Sequence, residues 1–210
     1  PLVVKNLIII NALFFLARHT LASTLNIDLN SVLGLYYYNS PEFNPYQLIS
    51  YMFMHGGFSH IFFNMFALWM FGTQIENLWG PKRFLNYYLI TGFGAAFLHY
   101  LIIHFQISGL ESYFTSNQIS EIVNSGAFNP SSPLFSKARM LYGLHHTPVV
   151  GASGAVFGLL LAYGMTYPNQ IIYLNLLFPI KAKYFVIIYG LLEFFMGVQN
   201  GAGDNVAHFA

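Results

Sequence analysis

The sequence predicts an all-α membrane protein of six transmembrane helices, and three observations carry that prediction. Hydrophobic residues make up 56% of the chain and charged residues 7%, a balance that soluble domains do not keep. Several apolar windows approach the roughly twenty residues needed to cross a bilayer. Short basic junctions recur at alternate connections between them.

The first window, residues 7–27, follows Lys5. A signal peptide is the alternative there, because Leu21-Ala22-Ser23 resembles a small-residue cleavage site, but the apolar segments that follow favour a span. Windows at residues 61–79, 84–105, 152–167 and 184–198 come next, and a sixth begins near Asn205 and is cut short at Ala210. The chain reads as one domain over residues 1–210, incomplete at its C-terminus.

Alternation puts Lys5, Pro81-Lys82-Arg83 and Lys181-Ala182-Lys183 on one side, and short loops rich in Lys and Arg stay in the cytoplasm. Lys137 and Arg139 lie in a long connection, where the rule has less force. The outer face then carries two long connections, about residues 28–59 and 106–150. The first holds Tyr36-Tyr37-Tyr38 and Phe43-Asn44-Pro45-Tyr46, which suits either a segment in the headgroup belt or a plain amphipathic connector. The second is rich in Ser and Asn and reads as a partly mobile loop.

A net charge of +1 with no basic stripe gives nucleic acid nothing to grip. With no cysteine, disulfides and thiolate chemistry are excluded. His55 with His60, and His145-His146, could bind a metal, yet no nearby carboxylate or cysteine completes a ligand set, so no metal or cofactor is expected. Arg18 and Glu193, in or near spans, read as snorkelling or paired groups.

The fourth window is too short to cross unless it starts well below the surface. The residues before it then enter the membrane as irregular backbone, which is tolerated only inside protein or along a wet cavity. Ser153 sits at the bottom of that depression. Gly151 and Gly154 allow the tight turn, and Gly154 with Gly158 forms a small-residue stripe for close helix packing. At a helix N-terminus the free amides and the dipole stabilise an oxyanion, but a serine hydroxyl still needs a base. Of the eight histidines, His208 has a particularly suitable context. It opens the final span at the depth of Ser153, and small Ala207 and Ala210 would let that helix approach the glycine stripe.

His60 and Asn64, four apart at the outer start of the second span, share a helix face. Converging on the serine, they would act as oxyanion donors. Each element has a plainer reading: Gly-x-Ser-Gly as simple helix packing, and His60 with Asn64 as an interhelical hydrogen-bonded pair.

Together, His60-x-x-x-Asn64, Gly151-x-Ser153-Gly154-x-x-x-Gly158 and Ala207-His208 resemble the rhomboid intramembrane serine proteases, bacterial type. Glu76 with Gly80-Pro81-Lys82-Arg83-Phe84 belongs to the match, which runs from about Phe43 to the end. The resemblance implies a six-transmembrane-helix rhomboid-like bundle whose sixth helix is truncated here. It implies a catalytic dyad of Ser153 as nucleophile and His208 as base. His60, Asn64 and the amides of Ala152 and Ser153 would form the oxyanion hole, and His55 matches a structural histidine. Two positions depart from the pattern. No Trp-Arg pair occurs between Asp28 and Ser59, and Phe157 stands where some bacterial members carry a tyrosine.

The expected function is therefore an endopeptidase that cleaves transmembrane or juxtamembrane segments of membrane proteins entering from the lipid bilayer. Its expected location is a bacterial cytoplasmic membrane, with the site open to the outer side. The rival is a catalytically inactive relative that binds membrane-protein clients. A small transporter would want charges along the bundle's middle, whereas the polar groups here gather at one outer level.

Overall fold

The computed structural model describes residues 1–174 and 178–199, and the chain is mostly helical. Helix α1 (Leu2–Leu25) is fastened at its first turn by a residue far away in sequence. The Glu76 carboxylate accepts the backbone N–H groups of Val3 at 2.9 Å and Val4 at 2.8 Å. Those amides lack intrahelical partners, and the positive end of the helix dipole favours an anion there. At the other end Asn26 adopts the left-handed conformation with φ 54° and closes the helix.

The second expected span is one helical run built in three parts: α4 (Phe58–Ala67), a π turn (Leu68–Gly72) and α5 (Thr73–Trp79). The π turn sets the phase. In an unbroken α-helix Glu76 would point about 120° away from Asn64, whereas one extra residue in the turn brings them to within about 20°. Both side chains are buried, so the bulge presents His60 and Asn64 at one end and Glu76 at the other to the same interior.

Between these helices lie α2 (Leu29–Leu33), α3 (Gln47–Ser50) and a 3₁₀ turn (Tyr51–Phe53). This connection is folded onto the bundle. Buried Gln47 accepts from the N–H of Asn44 at 3.1 Å and of Tyr36 at 3.4 Å, and donates to the carbonyls of Glu42 at 3.0 Å and Val32 at 3.3 Å. The loop that lacks the Trp-Arg pair is thus stapled by one amide. Tyr51 donates its hydroxyl to Gly92 O at 2.8 Å, and Tyr100 donates to Tyr36 O at 2.8 Å.

Helix α6 (Pro81–Glu111) starts with proline at its first position, after Gly80 at φ 80°. Among the described residues, α1 and α6 are the two helices long and apolar enough to cross a membrane; α9 (Ser153–Thr166) is a shorter apolar helix. The long connection over 106–150 is largely helical, where the sequence suggested a loop. Helices α7 (Ser116–Ser125) and α8 (Phe135–His146) form there, α7 with a capping box from Thr115 and Gln118. Their apolar faces close on the end of α6 around Ile103, Ile107, Ile122, Ala138 and Leu141.

The glycine stripe of α9 is packed closely by another helix, as expected. A Cβ at Gly154 would collide with Ala95, and one at Gly158 would lie 2.5 Å from Thr91 Cγ2. Helix α6 packs on the stripe, with Tyr87 donating to Gly158 O at 2.8 Å; the expected approach of the final helix lies outside the described residues. Ala95 lies near the midpoint of α6, which sets the start of α9 about halfway along a spanning helix.

A further departure from an all-α chain follows α9. Strands β1 (Ile171–Leu174) and β2 (Phe178–Lys181) pair antiparallel, with Ile172 opposite Ile180, before α10 (Ala182–Gln199). Tyr189 of α10 stacks on Phe157 at 5.1 Å, and Val186 faces Gly164. Lys5, Lys82, Arg83, Lys181 and Lys183 all fall at the end of the bundle remote from Ser153. The expected sixth span lies outside the described residues.

Candidate active site

The site is assembled where the stapled first connection meets the start of α9. Leu35 and Val149 exchange backbone hydrogen bonds at 2.8 and 2.9 Å, and Gly151 N–H donates to Tyr51 O at 2.9 Å. These bonds hold the strand-like entry to α9 in register with the loop. Gly151 then turns at φ 134°, a conformation that requires glycine. Ala152, fully buried, precedes Ser153 and supplies no side-chain cap, and the positive end of the α9 dipole lies at Ser153.

His60 reaches this turn from α4. A Cβ placed on Gly151 would stand 2.8 Å from His60 Nε2 and 3.4 Å from Ser153 Oγ. The imidazole edge and the serine hydroxyl therefore converge over a position that only glycine leaves open. His60 and Ser153 are both half-buried, as a reactive group with access needs to be.

The tautomer of His60 follows from its other nitrogen. Gly56 N–H points at His60 Nδ1 at 3.4 Å, a contact that favours the tautomer with the ring proton on Nε2, the atom facing the turn. Asn64, one turn further along α4, is buried and donates through Nδ2 to His60 O at 3.0 Å. That bond uses one of its two N–H groups. His55 packs edge-on against His60, ring centroids 5.0 Å apart. Burial holds its imidazole down to about 4, with the neighbouring His60 adding to the effect.

Of the residues singled out in the sequence, Ser153, His60 and the Ala152 turn are thus brought together, with Asn64 below them. His208 lies outside the described residues. Among the described residues no three His, Asp or Glu side chains gather as a metal-ligand set. Arg18, read as snorkelling or paired, is paired: it donates to the carbonyls of His55 and Gly56 and lies 3.9 Å from Asp28. Sequence reasoning missed the Gln47 side chain, whose partners are backbone groups, and the Tyr51 carbonyl, since bonds to the backbone carry no spacing signal.

The model of the Rhomboid domain matches residues 42–210. The chain belongs to the rhomboid family. Among its relatives is RHOMBOID-like protein 12, mitochondrial, of Arabidopsis thaliana, 30% identical over 75% of this chain and 41% of the relative. RHOMBOID-like protein 4 of the same plant is 30% identical over 78% of the chain and 30% of the relative. Rhomboid protease GluP of Bacillus subtilis (strain 168) is 40% identical over 22% of the chain and 9% of the relative. No solved structure matches the chain. This rhomboid chain spans less than half the length of these curated relatives. Rhomboids are integral membrane proteins, in keeping with the two long apolar helices. The relatives are mostly plant rhomboid-like proteins, which does not single out the bacterial type expected from sequence.

Proposed function

We propose that this rhomboid is an intramembrane serine endopeptidase that cleaves transmembrane or juxtamembrane segments of membrane proteins. The observation that carries the reading is the convergence of His60 Nε2 and Ser153 Oγ over Gly151. In this reading Ser153 Oγ attacks the scissile carbonyl while His208 takes its proton. The carbonyl π electrons move to oxygen, and the oxyanion is held by His60 Nε2–H, the second N–H of Asn64 and the amides of Ala152 and Ser153. Collapse expels the amine, which receives the proton from His208, and water then cleaves the acyl-serine ester by the same route.

The reading includes six spans, with the last supplying His208, and a lysine-rich end in the cytoplasm so that the site opens outward. The compact helical plan favours a bacterial cytoplasmic membrane; the mitochondrial name of one plant relative favours an organellar one instead. An inactive, client-binding factor is the second reading. It is favoured by the longer matches, whose names say rhomboid-like, while the match named as a protease covers 22% of the chain.

Co-reconstitution with a reporter helix carrying small and helix-breaking residues tests the proposal. Cleavage by the wild type that is lost in both Ser153→Ala and His208→Ala supports the endopeptidase. Stable binding of the uncleaved reporter by all three forms supports the client-binding factor.

A further inference from the structure

A guanidinium within an apolar helix such as α1 is costly unless it is matched by acceptors. The Arg18 side chain is 21% exposed, and its Nη1 donates to His55 O at 3.2 Å and Gly56 O at 3.0 Å. Asp28, at 3.9 Å from Nε, steadies the other side of the group. The His55 carbonyl and the Gly56 N–H belong to one peptide unit. Its oxygen accepts from Arg18, and its N–H faces His60 Nδ1 at 3.4 Å. A cation on the oxygen of a peptide polarises the whole unit and makes its N–H a better donor.

The geometry points to Arg18 as a positioning residue that acts through the His55–Gly56 peptide to keep the His60 proton on Nε2, the nitrogen aimed at Ser153 and Gly151. The opposite tautomer would turn a lone pair toward the turn, where a developing oxyanion would meet repulsion in place of a donor. Helix α1 lies outside the matched Rhomboid domain, residues 42–210, yet through this contact it reaches the candidate oxyanion donor. The catalytic consequence rests on the endopeptidase reading; the tautomer itself does not.

The test uses the full-length protein in lipid nanodiscs with ¹⁵N-labelled histidine, the His60 signals being identified by their loss in His60→Gln. The wild type should show a protonated Nε2 and an unprotonated Nδ1. Arg18→Gln should give a mixture of tautomers, and Arg18→Lys, which keeps a cation and donors, should restore the wild-type pattern. In kinetics on the reporter helix, Arg18→Gln should lower kcat about tenfold at unchanged KM, part of the loss expected for removing an oxyanion donor outright. In a His60→Ala background the same substitution should change kcat less than about twofold, since coupled residues are not additive.

A wild-type ring protonated on Nδ1, an unchanged tautomer in Arg18→Gln, or equal losses in both backgrounds would overturn the inference. Absence of any Ser153-dependent turnover in the wild type would instead remove the endopeptidase reading, and the tautomer measurement would still decide the role of Arg18.

Discussion

His146 Nδ1 lies 2.8 Å from Glu42 Oε1, and its Nε2 lies 2.7 Å from Val123 O, so one ring ties the first connection to α7 and α8. Tyr142 stacks on the same ring at 4.1 Å. Burial pushes the Glu42 carboxyl up, but hydrogen bonds from Ser40 and His146 outweigh it and hold the group below its ordinary value of 4.5. A depressed carboxylate contributes stability above its unfolded pKa and loses it as pH falls through the folded one. The unfolding temperature should therefore drop on acidification below pH 4.5, and Glu42→Gln should show a shallower drop. Thermal scans in detergent at a series of pH values check this, and identical slopes in the two proteins contradict it.

Glu76 makes a second long-range tie. Glu76→Ala strands the Val3 and Val4 amides and should lower stability by about 2–3 kcal/mol, the range for hydrogen bonds to a charged acceptor. Glu76→Gln keeps one acceptor oxygen and should lose about half of that. Reversible unfolding in mixed detergent measures both, and a Glu76→Ala protein as stable as the parent would remove the tie from the account.

The packing of α9 on α6 gives a paired comparison. Gly158→Leu must displace Thr91 and should cost about 1–3 kcal/mol or more by overpacking. Gly94, on α6 itself, meets nothing within 4 Å, so Gly94→Ala should be neutral or stabilising by up to about 1 kcal/mol. Equal effects of the two substitutions would mean that α6 does not fill the stripe.

The turn before Ser153 is the most sensitive point of the site. Gly151→Ala is strained at φ 134° and brings its methyl within 2.8 Å of His60 Nε2. It should abolish cleavage while leaving the protein folded. His60→Ala, which removes a donor without touching the turn, should reduce kcat by about 10²–10³ with a smaller change in KM. Initial rates on the reporter helix, beside circular dichroism, separate these outcomes from misfolding.

Much of this was legible in the sequence because the decisive features are local. The four-residue spacing of His60 and Asn64 and the glycines flanking Ser153 each report a face or a turn without any knowledge of neighbours. Partners are a different matter. Gly154 and Gly158 announce a close approach but do not say to which helix; the complement, Thr91 and Ala95, becomes visible only with α6 in place. The π turn at Leu68–Gly72 escaped because residues 65–72 carry no polar side chain, so no polar position marks the slip where it occurs. Helices α7 and α8 were missed for the opposite reason: they are polar outside, and their few apolar residues find a core only against the end of α6.

The central claim is that Ser153 is an activated nucleophile, and covalent labelling tests it most directly. The full-length protein, Ser153→Ala and His208→Ala are treated with a fluorophosphonate, and the modified residue is located by mass spectrometry. The account predicts phosphonylation of Ser153 in the wild type, none in Ser153→Ala, and a loss of labelling rate of about 10³ or more in His208→Ala. Equal labelling of the wild type and Ser153→Ala, or a wild type with Ser153 left unmodified, would contradict it.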